Sequence, residues 1–275
     1  YVQAAARCCH FDKSNKFIAV GMARGNVGVH YFDYKGSAGK GRDSHAASSI
    51  SEVLASRCDC SEDIADIKFN PTSDMLAAGS HDNFIDVYSV ELNPPSKTTS
   101  ASAVLRPLKR LRGHSSYVTH LDWSLDGRLI QSTCGAYELL YWDPESGRQF
   151  SYTTGWNPSD VRWKTYTCVL GFSVMGIWPQ YADGTDINSL HVSRDKTLVA
   201  TADDSGQLNV LNYPCVIKNA PRKSYTGHSS HVTNVRFVCD DRMIVTTGGN
   251  DKCVIVWEVE KTKLHNPAPQ EAGWR

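Results

Sequence analysis

A strand–turn–strand–corner–strand unit recurs along this chain, and that repeat restricts the possible folds more than any other feature. Residues 64–69 (Ile64-Ala-Asp-Ile-Lys-Phe69), 118–123 (Val118-Thr-His-Leu-Asp-Trp123) and 232–237 (Val232-Thr-Asn-Val-Arg-Phe237) alternate apolar and polar side chains, the pattern of a half-buried strand. A polar turn follows each. Then come a second apolar run at 75–79, 129–132 and 243–247, a corner of Gly, Asn or Asp, and a third run at 84–90, 137–142 and 253–259. Two fainter copies place strands at 7–11, 17–21 and 27–32, and at 187–192, 198–202 and 208–211. One such unit cannot bury its own apolar face, so the copies must stack on one another.

Helical periodicity is nearly absent, and the reading is all-β: a β-propeller with about five blades, whose radial repetition leaves only short sheet edges open. The blades fall near 5–56, 62–112, 113–178, 186–226 and 227–262, with a tail at 263–275. Their spacing exceeds the roughly 40–45 residues of a WD40 repeat, and insertions account for the excess. Those at 36–51 and 93–102 read as exposed loops. The one at 151–185 is unusually aromatic, and its alternation at Cys168, Leu170, Phe172 and Val174 predicts an outer strand covering a blade.

Composition narrows the function. Lys and Arg total 29, as do Asp and Glu, so the chain lacks the basic excess of a nucleic-acid-binding domain. No apolar run approaches the roughly 18 residues of a membrane helix. The nine cysteines are an odd number, and several sit in apolar runs. They are expected to be reduced, in a cytosolic chain. Neither Cys8-Cys9-His10 nor Cys58-Asp59-Cys60 has zinc-site spacing, and Asp183-Gly-Thr-Asp186 offers too few oxygens for calcium. No metal or cofactor is expected.

Gly113-His114 and Gly227-His228 each precede an inner strand, Asp251 lies six residues before Trp257, and Asp82 lies six before Tyr88. This is the WD40 pattern. The last blade offers His228, Thr246 or Thr247, Asp251 and Trp257 for a hydrogen-bonded chain that locks the corner. The middle blade offers His114 and Trp142, but Ala136 stands where the corner Asp is expected. The first blade has Gly25 there. His and Asp recurring blade by blade mark a structural device rather than catalysis. The inner strands are expected to present mainly apolar residues and Thr to the channel, leaving no catalytic cluster. Phosphate-loop, His-Glu-x-x-His and nucleophile-elbow motifs are absent.

A longer set of motifs goes beyond the generic repeat. Gly113-His-Ser-Ser-Tyr-Val-Thr-His-Leu-Asp-Trp123, Tyr137-Glu-Leu-Leu-Tyr-Trp-Asp143, Thr165-Tyr-Thr-Cys-Val-Leu-Gly-Phe172, Gly176-Ile-Trp-Pro179, Asn212-Tyr-Pro-Cys215 and Gly227-His-Ser-Ser-His-Val-Thr-Asn234 stand in this order. Over roughly residues 60–260 the chain resembles the echinoderm microtubule-associated protein-like family. That resemblance implies a tandem pair of atypical propellers, with this chain the C-terminal part of the second. It also implies microtubule association, with tubulin or microtubule-linked proteins as partners, at the cytoplasmic cytoskeleton of axoneme or spindle.

The family's N-terminal coiled coil and basic segment are not in this sequence, and upstream propeller blades of the same chain are expected to complete the ring. Candidate partner-binding residues are Trp156 and Tyr181 in the aromatic insertion, and Arg106, Lys109, Arg110 and Arg112, whose charge suits an acidic partner. The leading reading is a non-catalytic protein–protein interaction module. The alternative is a general propeller scaffold, such as a ubiquitin-ligase substrate receptor without tubulin contact.

Overall fold

A computed structural model describes residues 4–33, 49–150, 157–179 and 186–260. Alternating strands and tight turns build five antiparallel sheets in chain order. The first is β1 (Ala6–Phe11), β2 (Phe17–Met22), β3 (Asn26–Asp33) and β4 (Ser49–Cys58). The second is β5 (Ile64–Phe69), β6 (Met75–Ser80), β7 (Phe84–Asn93) and β8 (Ser102–Arg112); the third is β9 (Val118–Trp123), β10 (Ile130–Cys134), β11 (Leu139–Trp142) and β12 (Gln149–Phe150). The fourth is β13 (Ile187–Val192), β14 (Leu198–Asp203), β15 (Gln207–Asn212) and β16 (Arg222–Thr226). The last, β17 (Val232–Phe237), β18 (Met243–Gly248) and β19 (Val254–Glu258), has three strands among the described residues. Consecutive strands pair throughout, as in propeller blades.

The sheets copy one another in detail. The inner strands of all five sheets slip register after their first residue, at Ala6/Cys8, Ile64/Asp66, Val118/His120, Ile187/Ser189 and Val232/Asn234. Such a bulge bends the strand and re-aims its side chains. The hydrophobic core lies in the seams between neighbouring sheets. Phe17, Val27 and Val29 of the first sheet meet Ile64, Ile67 and Phe69 of the second. Ile85, Val87 and Leu111 of the second meet Val118, Leu121 and Trp123 of the third. Leu208 of the fourth meets Val232, Val235 and Phe237 of the last. Each such side chain, fully buried, contributes about 1.5–3 kcal/mol.

Two expectations need correction. The loop read at 36–51 ends earlier, because β4 already begins at Ser49, while its remaining residues up to 48 lie outside the described ones. The first corner carries Gly25 at φ +69°, where a Cβ would stand 1.9 Å from the Cys60 carbonyl oxygen, so the close approach of the next sheet's entry requires glycine.

The second correction is the larger. The described part of the aromatic insertion, 157–179, forms no outer strand; it holds two 3-10 turns, Pro158–Asp160 and Phe172–Ile177. It stands between the third and fourth sheets instead. Lys164 donates its N–H to the Trp123 carbonyl on one side, and Gly176 and Cys215 exchange backbone bonds with Cys215 and Ser173 on the other. Val169, Val174 and Ile177 pack on Ile187, Leu190 and Val192. A strandless segment therefore fills a sector of the ring that the periodicity of its side chains assigned to a sheet surface.

Among the described residues, no strand of the last sheet lies extensively against the first. The face of the last sheet turned away from the fourth leaves Val254 and Val256 bare, 66% and 59% exposed.

Candidate functional site

The inner strands converge on a central channel lined by all five sheets and by Val169 and Leu170 of the strandless segment. The penultimate residue of each inner strand is polar: His10, Lys68, Asp122, His191 and Arg236. Of these five only Arg236 lines the channel itself, whose other polar lining includes Asp66, His120 and Asn234, against the expectation of mainly apolar residues and Thr. The five penultimate side chains are positioned by the same strand register, and four of them reach to the next element round the ring. His10 Nδ1 accepts from the Phe69 N–H at 3.2 Å, and His191 Nδ1 accepts from the Phe237 N–H at 3.0 Å. Lys68 Nζ reaches Asp122 at 3.4 Å and also donates to the Leu121 carbonyl and the Thr167 hydroxyl. The Asp122 carboxylate accepts the N–H groups of Thr167 (2.8 Å) and Cys168 (2.9 Å) and the Thr165 hydroxyl (2.6 Å). That last set anchors the strandless segment. Arg236 has no such neighbour and turns back to Ser189 Oγ at 3.1 Å and its own strand's Val235 carbonyl.

The electrostatics follow from this wiring. Burial opposes the Asp122 charge, but Lys68 and the hydrogen bonds from Thr165, Thr167 and Cys168 outweigh it and hold its carboxyl below the usual range. Burial likewise opposes the Lys68 charge, and Asp122 and Asp66 (2.7 Å) keep it raised. Burial, then the nearby cations, push His10 and His191 down to about 3. Both rings are neutral and bear their proton on Nε2, since Nδ1 accepts from a backbone N–H. His120 is pushed down to about 4, mainly by burial. Carboxylates, lysine and histidines thus cluster as they do in active sites, yet Asp122, Lys68, His10 and His191 direct their bonds at adjacent sectors, while the buried His120 Nδ1 has no hydrogen-bond partner.

The corner residues form a second layer. In the last sheet His228 Nδ1 meets Asp251 Oδ2 and Nε2 meets Thr246 Oγ1, both at 2.8 Å, and Trp257 Nε1 donates to Thr246 Oγ1 at 2.8 Å. Thr246 rather than Thr247 takes part. In the third sheet His114 Nε2 meets Ser132 Oγ at 2.6 Å, and Trp142 Nε1 donates to the same oxygen at 2.8 Å. Glu138, two residues beyond Ala136, takes the corner role by accepting the Ser115 N–H (2.9 Å) and hydroxyl (2.8 Å). The third corner therefore has its acid, contrary to the sequence reading. Asp82 holds the second corner by accepting the N–H groups of Ser61 (2.7 Å) and Glu62 (3.1 Å).

The basic residues of β8 have different surroundings. Arg110 makes two bonds to Asp86 (2.6 and 2.7 Å) and one to the Asp59 carbonyl, which commits it to the sheet. Arg112 lies 4.5 Å from the centre of the Phe84 ring, Arg106 pairs with Glu91 at the surface, and Lys109 is exposed. Trp156 and Tyr181 lie outside the described residues.

With this geometry established, comparison with known proteins decides the family. The family model "Echinoderm microtubule-associated protein second beta-propeller" matches residues 1–259. The chain belongs to this family. It is 40% identical to human echinoderm microtubule-associated protein-like 3, over 95% of the chain and 26% of the relative. It is 43% identical to the rat protein-like 2, over 94% of the chain and 36% of the relative. Against the rat protein-like 1 it is 36% identical over 94% of the chain and 28% of the relative. The chain thus spans about a quarter to a third of the length of these relatives. A chain in the crystal structure of a mitotic checkpoint complex shares the fold, with TM-score 0.62 and 14% identity over 94% of this chain and 76% of that one.

Proposed function

We propose that this propeller is a non-catalytic protein–protein interaction module of a microtubule-associated protein, docking tubulin or microtubule-linked partners at the cytoplasmic cytoskeleton. Family membership is the observation that carries this reading. The absence of catalysis is inferred from the inner strands, where Asp122 and Lys68 are occupied by Thr167, Cys168 and Leu121 rather than turned toward an open cavity. Further blades of the longer chain would cover the bare side of the last sheet and take up the reach of Arg236. Lys109 and Arg112 are the β8 residues whose charge is free to meet an acidic partner, with Arg106 in exchange with Glu91. Trp156 and Tyr181 remain proposed anchors, since Trp and Tyr dominate interface hot spots.

The rival is a general propeller scaffold that recruits other proteins and leaves tubulin alone. Gel filtration of the intact protein with tubulin separates the two. Co-elution that weakens in Lys109→Glu, Arg112→Glu and Trp156→Ala, but not in Glu52→Gln, is expected. Co-elution unaffected by all three removes these residues from the interface, and its absence in the intact protein favours the rival.

A further inference from the structure

The third corner differs from the last in a way that its locking role leaves unexplained. His228 of the last sheet has both ring nitrogens engaged. His114 holds the matching place, buried to 7% exposure, yet its Nδ1 has no hydrogen-bond partner. That nitrogen points at Glu138 Oε2, 3.5 Å away, and Glu138 Oε2 in turn lies 3.2 Å from Cys134 Sγ. The three donor atoms lie within 4.8 Å of one another. In a tetrahedral site with metal–ligand bonds of about 2.0–2.3 Å, neighbouring ligand atoms stand roughly 3.3–3.7 Å apart. The two separations to Glu138 Oε2, 3.5 and 3.2 Å, are close to that spacing already.

We propose that His114 Nδ1, Cys134 Sγ and Glu138 Oε2 form a zinc site with water as the fourth ligand. Nitrogen, sulfur and oxygen donors suit zinc among the divalent ions, and a thiolate with a carboxylate balances its two positive charges. With the metal on Nδ1, Nε2 carries the ring proton and donates it to Ser132 Oγ, 2.6 Å away. Binding replaces the thiol proton of Cys134, now directed at Glu138, and releases it to solvent as the Zn–S bond forms. Glu138 is the partly exposed member and gives the ion its way in.

The last corner shows what excludes a metal. Gly248 pairs with Val232 as Cys134 pairs with Val118, and a Cβ on Gly248 would stand 1.8 Å from Asp251 Oδ1. Asp251 leaves no room for a thiol there. The third corner, where the longer Glu138 follows Cys134 by four residues while Asp251 follows Gly248 by three, leaves room for the thiol.

The test is a Co2+ titration of the intact, chelator-treated protein, followed by displacement with Zn2+. The expected result is one equivalent of four-coordinate Co2+ with visible d–d bands and a near-ultraviolet thiolate-to-cobalt band. Cys134→Ser abolishes the thiolate band, and Glu138→Gln weakens zinc binding by more than about tenfold. Cys253→Ser, at the last corner, leaves both unchanged. The proposal is overturned if no thiolate band forms, or if it survives in Cys134→Ser and so arises from exposed cysteines elsewhere. Should Cys134→Ser misfold, as judged by tryptophan fluorescence, undiminished zinc affinity in Glu138→Gln overturns it equally.

Discussion

The third and last sheets carry the same His–hydroxyl–Trp chain and differ in nearly everything around it. Trp142 is 1% exposed, and its sheet lies between the second sheet and the strandless segment. Trp257 is only half-buried, its sheet has three strands among the described residues, and one face is bare. Yet the corner hydrogen bonds of the last sheet are the more regular, with three contacts at 2.8 Å. The lock therefore fixes a corner's shape, while packing on both faces and the wiring of the inner strand determine how firmly a blade is held.

The strongest way to break this comparison is to substitute the same strand position in both sheets. Asp122→Ala strands Lys68 in the interior and releases the backbone of Thr167 and Cys168. A loss of about 3–5 kcal/mol by urea denaturation is expected. Arg236→Ala removes a side chain with no ion pair within 4 Å among the described residues, and a loss of about 1 kcal/mol or less is expected. Equal losses would show that the inner-strand wiring is not what distinguishes the two sheets. Trp142→Ala should cost about 3–5 kcal/mol, and Trp257→Ala clearly less.

A pH series sharpens the same point. His10, His191 and His120 stay neutral in the fold down to about 3, 3 and 4, whereas the unfolded chain protonates them near 6.5. Between those values the unfolded state binds more protons, so stability falls as pH falls from about 6.5 toward 4. His10→Gln should flatten that fall in thermal melts. The smallest effect is expected on the bare face: Val256→Thr should change stability by less than about 0.5 kcal/mol in this chain. A larger loss in a longer chain with additional blades would mark the face as covered there.

The strands were largely legible because alternation along one strand is a local property; β5, β9 and β17 match their expected bounds residue for residue. The last corner was legible because its Gly-His, Asp and Trp keep the usual spacing. Glu138 was missed because a longer side chain reaches the same N–H from two positions farther along, which a fixed spacing cannot register. The inner-strand wiring was visible as a polar residue before the last one of every inner strand, but its partners lie 45 or more residues away in cases such as Asp122 with Thr167. Alternation failed at 165–174 because an apolar periodicity records burial, and a wedge between sheets buries side chains as a strand does. Arg110 read as a candidate contact for an acidic partner because its own partner Asp86 sits on the neighbouring strand, where only register brings them together.

The docking role itself is tested most directly by hydrogen exchange of the intact protein with and without tubulin. The account predicts new protection in surface loops and outer strands of residues 1–275, with β8 among them, and no change in inner strands such as β9. Tubulin binding by the intact protein with unaltered exchange throughout these residues would contradict it.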